Sequence, residues 1–159
     1  MSLVEAIATR PALSLQRVFD APRALVWKAW TTPETMVLWL GPVEWPAVSV
    51  SQDLRVGGAW RACLRSPDTG QDLWQGGVYR EIVPPERLVF TFKWDESHED
   101  GPPVDTLVTV EFAELPDGRT RMDFTHEGLK SEQSLTGHRH GWTSTFERLV
   151  AFLETEGDA

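Results

Sequence analysis

"GHRHGWTSTFERLVAFLE" occupies residues 137–154, close to the end of a 159-residue chain. Trp142, Phe146, Leu149, Val150 and Leu153 recur at helical spacing, while Thr143, Ser144, Glu147, Arg148 and Glu154 fall on the other side. The pattern predicts one long amphipathic helix that begins near Ser131 and is weakened at Gly137 and Gly141. Its apolar stripe has to be buried against something, and the residues upstream say what.

Upstream, the apolar period drops to two. Leu88, Phe90, Phe92 and Trp94 alternate with Val89, Thr91 and Lys93, which predicts a strand with the first set facing inward. Trp60, Ala62 and Leu64 share one face of an earlier strand, and Arg61, Cys63 and Arg65 share the other. A strand is expected from about Gln71 to Val83, with a bulge or bend at Gly76-Gly77. Val108, Val110 and Phe112 define the inner face of Thr106–Leu115, and Met122, Phe124 and His126 that of the last strand. Turns separate these runs at residues 66–70, at Pro84-Pro85-Glu86 and at Pro116-Asp117-Gly118.

The N-terminal part reads as a strand over Ala12–Phe19 and then two short helices. Asp20 offers a cap, with Pro22 in the first turn of a helix through about Thr31. Thr32-Pro33-Glu34 repeats the signal, and Gly41-Pro42 ends the second helix. The order is strand, two short helices, a run of antiparallel strands and a long helix, which is an α+β architecture. The expected arrangement is a curved antiparallel sheet of about six or seven strands wrapped on the C-terminal helix. One domain is expected over residues 12–154, with residues 1–11 and 155–159 as flexible termini.

At this length folding hides roughly 70% of the unfolded surface, so a core forms without staples. The single cysteine, Cys63, leaves no internal disulfide and is compatible with a cytoplasmic location. The start, MSLVEAIATRP, has Glu5 inside its short apolar stretch and no basic residue before it, unlike a secretory signal. No apolar run reaches a membrane-spanning length. The net charge of −9 repels phosphate backbones, so nucleic acid is not an expected partner. Eight tryptophans against one tyrosine point to large rigid rings in a core or a pocket.

No catalytic or metal-binding set is expected. His138 and His140 point about 200° apart on a helix, whereas a chelating pair sits four residues apart. An extended chain there could bring them to zinc with His126, but no cysteine pair or HExxH supports the site. The acidic stretch Asp95-Glu96-Ser97-His98-Glu99-Asp100 lacks the spacing of a calcium loop and reads as a solvated hairpin tip. Cys63 between Arg61 and Arg65 would be thiolate-prone if the two cations stood over it, and inert if merely packed. No nucleophile elbow, phosphate loop or dinucleotide fingerprint occurs, and no cofactor is expected.

Four stretches together resemble one family: "RVFDAPRALVWKAWTTPETMVLWLGP" (17–42), "DLRVGGAWR" (53–61), "GGVYREIVPPERLVFTFKW" (76–94) and "HGWTSTFERLVAFLE" (140–154). They look like the single-domain proteins related to the activator of heat-shock protein 90 ATPase, within the START-like, SRPBCC, helix-grip superfamily. The resemblance spans about Leu13 to Leu153 and implies a deep apolar pocket between sheet and last helix. Relatives of this fold bind lipids, steroids, polyketides or hormones, and some are cyclases. In the co-chaperones an additional N-terminal domain stimulates the chaperone, so chaperone stimulation is not expected of this chain.

What the resemblance implies for function is a small hydrophobic or aromatic ligand. The residues read as inward-facing then become the expected pocket lining: Trp60, Leu64, Phe90, Phe92, Trp94, Phe112, Met122, Phe124, His126, His138, Trp142 and Phe146. Two rival readings stand beside it. One is an interaction module tied to a chaperone or the stress response, or a homodimer, docking through Trp39-Leu40-Gly41-Pro42 and Trp45. The other is a cofactor-free enzyme with His126 or His138 as general base.

Overall fold

The computed structural model describes residues 2–97 and 101–157. In chain order they form α1 (Leu3–Thr9), β1 (Leu13–Phe19), α2 (Arg23–Thr31), α3 (Pro33–Met36), β2 (Ala47–Gln52) and β3 (Ala59–Arg65). These are followed by β4 (Asp72–Val83), β5 (Arg87–Trp94), β6 (Thr106–Glu114), β7 (Thr120–Glu127) and α4 (Glu132–Gly157). The seven strands make one open sheet in the order β1-β7-β6-β5-β4-β3-β2, every pair antiparallel. The α+β arrangement read from the sequence is the observed one, with two short helices after the first strand and a long one at the end.

Alternation does most of the folding work. In β7 every second residue from Thr120 to His126 is buried, and Thr106, Val108, Val110 and Phe112 do the same in β6. Register pairs Val110 with Phe124 and Phe112 with Met122, so neighbouring strands set their apolar side chains opposite one another. Trp142, Phe146, Leu149 and Leu153 of α4 are all buried. At the N-terminus of α4, the Ser131 hydroxyl accepts the Ser134 N–H at 3.1 Å.

The centre of the core is Trp30 of α2, which is 1% exposed. Its ring lies 4.9 Å from that of Trp39, 6.2 Å from Phe146 and 6.4 Å from Phe90, Phe112 and Trp142. A ring of this size hides about 200 Å², worth up to about 5 kcal/mol of transfer free energy.

Two local expectations meet a different structure, and one strand was not expected. Asp20 does not cap α2. The N-cap is Pro22, whose carbonyl accepts from Leu25 and Val26, and no side chain bonds the first turn. Residues 1–11 were expected as a flexible terminus, yet they contain α1. Ser2 caps it, Ala6 is 3% exposed, and the Leu129 N–H reaches the Pro11 carbonyl at 3.0 Å. The helix α4 likewise runs on past residue 154. Finally, β2 is an edge strand with little apolar alternation, which the sequence does not announce.

The register shift of β4 against β5 falls between Tyr79 and Glu81, beyond the Gly76-Gly77 pair where a bulge or bend was expected, and Gly77 instead marks a gap in the ladder. The β4–β5 pairing is interrupted between Gly76 and Tyr79, where the Thr91 hydroxyl takes the Val78 N–H at 2.8 Å and the Thr91 carbonyl takes the Trp60 indole N–H at 3.0 Å. Gly77 lies so close to β5 that a Cβ there would overlap the Thr91 backbone. The expectation is that Gly77→Ala costs about 1–3 kcal/mol, the usual range for overpacking. Urea unfolding measures it, and a loss below about 0.5 kcal/mol would show that β5 yields freely.

Candidate functional site

The first half of α4 does not pack onto the sheet as the second half does. A cavity of about 620 Å³ separates it from β3, β4 and β5 and opens to solvent. Its walls are mainly apolar: Leu40, Trp45, Leu64, Leu73, Phe92, Trp94 and Trp142. Gly137 and Gly141 present the bare helix backbone to this space, and a Cβ added at either would meet nothing within 4 Å.

Two indole–imidazole hydrogen bonds fasten this part of α4. The Trp142 Nε1–H donates to His126 Nδ1 of β7 at 3.1 Å. His126 Nε2–H then donates to the Thr106 hydroxyl at 2.7 Å, which itself donates to the Phe92 carbonyl at 2.7 Å. In the second pair the direction across the interface reverses. The Trp94 Nε1–H of β5 donates to His138 Nε2 of α4 at 3.1 Å, and His138 Nδ1–H donates to the Ser134 carbonyl at 2.8 Å. These partners fix opposite neutral tautomers on the two imidazoles. His126 is fully buried, and burial, with His138 beside it, holds its pKa well below the usual imidazole range.

The mouth is formed by residues 41–46, which α4 holds in place. Arg148 donates to the carbonyls of Leu40, Gly41 and Leu38 at 2.7, 2.9 and 3.1 Å, capping the chain as it leaves α3. The Ser144 hydroxyl accepts the Val43 N–H at 3.0 Å. His140 reaches Glu44 at 3.3 Å across the opening. A backbone hydrogen bond at Glu44 and the contact with His140 lower its carboxyl pKa. Gly41 turns the rim with φ +91°, and a side chain there would strike the Trp45 carbonyl.

Of the residues expected to line a pocket, Leu64, Phe92, Trp94, His138 and Trp142 border this cavity. Trp60 and Phe90 border only a chamber of about 10 Å³ behind it. Phe112, Met122, Phe124 and Phe146 lie in the packed core, and His126 is sealed beneath Trp142. The sequence reading did not single out the rim residues Leu40, Gly41, Pro42, Glu44 and Trp45 as lining, nor Gln71, Leu73, Gln75 and Thr145. Leu73 and Gln75 carried a usable signal, because they share the inward face of β4 with Tyr79.

The rival surfaces change character as well. Trp39 and Leu40 are 0% and 3% exposed, and the Trp39 indole donates to the Ala29 carbonyl, so neither can dock a partner. Cys63 is 1% exposed. Arg65 is engaged by Asp72 and Arg61 by Asp95, while Arg61 also lies 5.3 Å over the Trp74 ring. Burial, followed by the Asp72 carboxylate, pushes the Cys63 thiol up, which favours the packed, inert alternative over the thiolate. Among the described residues, no group of three His, Cys, Asp or Glu side chains is placed to hold a metal. Of the acidic loop, residues 98–100 lie outside the described residues; Asp95 is the partner of Arg61.

Comparison with known proteins places this geometry. The family described as activator of Hsp90 ATPase homolog 1-like protein matches residues 20–154. Among solved structures, a protein from Chromobacterium violaceum is 29% identical with a TM-score of 0.78, over 91% of this chain and 98% of that one. One from Arthrobacter aurescens is 27% identical with a TM-score of 0.77, over 98% of this chain and 90% of that one. An AHSA1 protein from Silicibacter pomeroyi shares the fold at 23% identity, with a TM-score of 0.79 over 92% and 99%. Among curated proteins nothing matches.

The buried imidazole has a consequence for pH. His126 is held neutral in the folded state, whereas an unfolded imidazole takes up a proton near pH 6.5. The unfolded state therefore binds more protons below that pH. This contribution is complete above about pH 6.5 and is lost as pH falls, by up to about 1.4 kcal/mol per pH unit, until the depressed folded value is reached. Urea unfolding between pH 7.5 and pH 5 checks this. The slope of stability with pH is expected to flatten by about one proton in His126→Asn, and an unchanged slope would contradict it.

Proposed function

We propose that this chain, which belongs to the activator of Hsp90 ATPase homolog 1-like family, binds a small apolar or aromatic molecule between the sheet and the first half of α4. The observation that carries the reading is the bare helix surface at Gly137 and Gly141, facing Trp45, Trp94 and Trp142 across open space. A helix meant only to fill a core would put large side chains there, as α4 does one turn later at Phe146, Leu149 and Leu153. The cavity's volume falls within the roughly 300–1,000 Å³ typical of small-molecule sites. A bicyclic aromatic ligand hiding about 250 Å² would gain about 6 kcal/mol, consistent with binding in the tens of micromolar before ordering costs.

The competing readings are weaker on the same observations. A general base needs a free lone pair, and both nitrogens of His126 and of His138 are engaged. Around residues 38–45 the exposed large apolar side chains are Leu38 and Val43, with Pro42 and Trp45 part-exposed at the cavity mouth, which is little for a protein interface. The single buried thiol fits a cytoplasmic setting, and among the described residues no helix is long and apolar enough to cross a membrane.

The neutral fluorescent probe N-phenyl-1-naphthylamine tests the site. Wild-type protein is expected to bind it, and Gly141→Leu to weaken binding at least tenfold by filling the space. Stability should not fall, because replacing a mid-helix glycine gains up to about 1 kcal/mol. A wild type that binds no probe, or a Gly141→Leu variant that binds it unchanged, would remove the cavity as the site.

A further inference from the structure

At its inner end the cavity holds a polar side chain with nothing to bond. Gln75 lies on β4, opposite Ala62 of β3 and Trp94 of β5, and is 3% exposed. It borders the cavity and also the small chamber behind, which Trp30, Tyr79 and Trp142 share. Among the described residues its carboxamide makes no hydrogen bond. Nor is that amide sealed in the way that Trp30 Nε1 and Gln52 Oε1 are, so its atoms are reachable from the cavity. Buried polar groups are almost always satisfied, and an amide held open at the end of an apolar pocket is placed to orient what enters.

The charges around it narrow what that is. The Arg148 guanidinium is turned to the carbonyls of Leu38, Leu40 and Gly41. Both nitrogens of His138 are engaged, and His140 meets Glu44 at the mouth. An anionic group beside Gln75 would be buried with no lysine or arginine among the described lining residues. A cationic one would find no carboxylate among the described lining residues but Glu44, which stands at the mouth and already has its partner. A primary carboxamide both donates and accepts in one plane, so it pairs best with a neutral edge carrying an N–H next to a carbonyl. The tryptophan walls suit a flat ring behind that edge.

We infer that the cavity selects neutral aromatic molecules bearing a cyclic-amide edge, and that Gln75 is the residue that reads this edge. The inference rests on the cavity being the ligand site proposed above.

Ligand-observed NMR titrations with naphthalene, 2-quinolinone and 2-naphthoate separate the two claims. The three share a bicyclic frame and differ in the polar edge. In Gln75→Met, 2-quinolinone is expected to bind about fivefold to tenfold more weakly than in wild type, the usual worth of such hydrogen bonds. Naphthalene should bind within twofold of wild type or more tightly, and 2-naphthoate should bind wild type more weakly than 2-quinolinone. Circular dichroism checks that the variant is folded, and Gln75→Leu serves if it is not. If naphthalene binds but Gln75→Met leaves 2-quinolinone unaffected, or the anion binds best, the inference about Gln75 is overturned while the pocket stands. If naphthalene does not bind wild type at all, the pocket reading falls and this inference falls with it.

Discussion

The way the first half of α4 is tied down decides everything on the inner side of the sheet. Two indole–imidazole hydrogen bonds, Trp142 to His126 and Trp94 to His138, join the helix to β7 and β5. Each histidine is held in one neutral tautomer by a second partner, the Thr106 hydroxyl or the Ser134 carbonyl. Directional bonds hold a helix at a fixed distance, whereas apolar packing draws it in until no space is left. The last turns of α4 are held by packing, through Phe146, Leu149 and Leu153. The first turns are held by polar bonds, and that is where the space remains. The same helix thus serves as core at one end and as pocket wall at the other.

The rim follows from the same anchoring. Residues 41–46 contain two prolines and a left-handed glycine, and their position is set largely from α4, by Arg148, Ser144 and His140. Among the described residues Arg148 makes no ion pair; its guanidinium instead donates to three carbonyls of the segment that follows α3. Mouth and wall therefore move with one element, and a shift of α4 would reshape both.

How far the sequence could be read depended on the range of the interaction. Period-two alternation exposed four of the strands, β3, β5, β6 and β7, and helical spacing exposed α4, because both are local. Alternation gave the inward facing of Phe112, Met122 and Phe124, and helical spacing gave that of Trp142. Neither could tell depth, so residues packed solidly in the core and residues bordering the cavity looked alike. Trp30 was not singled out because its role as hub comes from rings on distant strands. Arg148 sat on the polar side of the helical wheel, where nothing indicates that three carbonyls wait for it. For Cys63 the flanking arginines left a thiolate and an inert packed thiol both open, because nothing local tells that Asp72 and Asp95 hold both arginines. Gln75 was missed although a local signal exists: a polar residue on the inward face of β4, between Leu73 and Tyr79, is an anomaly that alternation can flag.

The sheet order also sets a timetable for the newborn chain. β1, the first strand made, pairs with β7, the last; Gln16 and Asp123, which bond across that pairing, are 107 positions apart. A ribosome adding about 5–20 residues per second takes roughly 5–20 s to cover that span. Through that interval Leu13, Leu15 and Phe19 have no partner strand, and α4, which completes the cavity, is made after that. Contacts this distant in sequence put folding among the slower topologies, in the millisecond-to-second range once the chain is complete. The stage most exposed to misassociation is thus the nascent one, when an unpaired apolar strand precedes the surfaces meant to cover it.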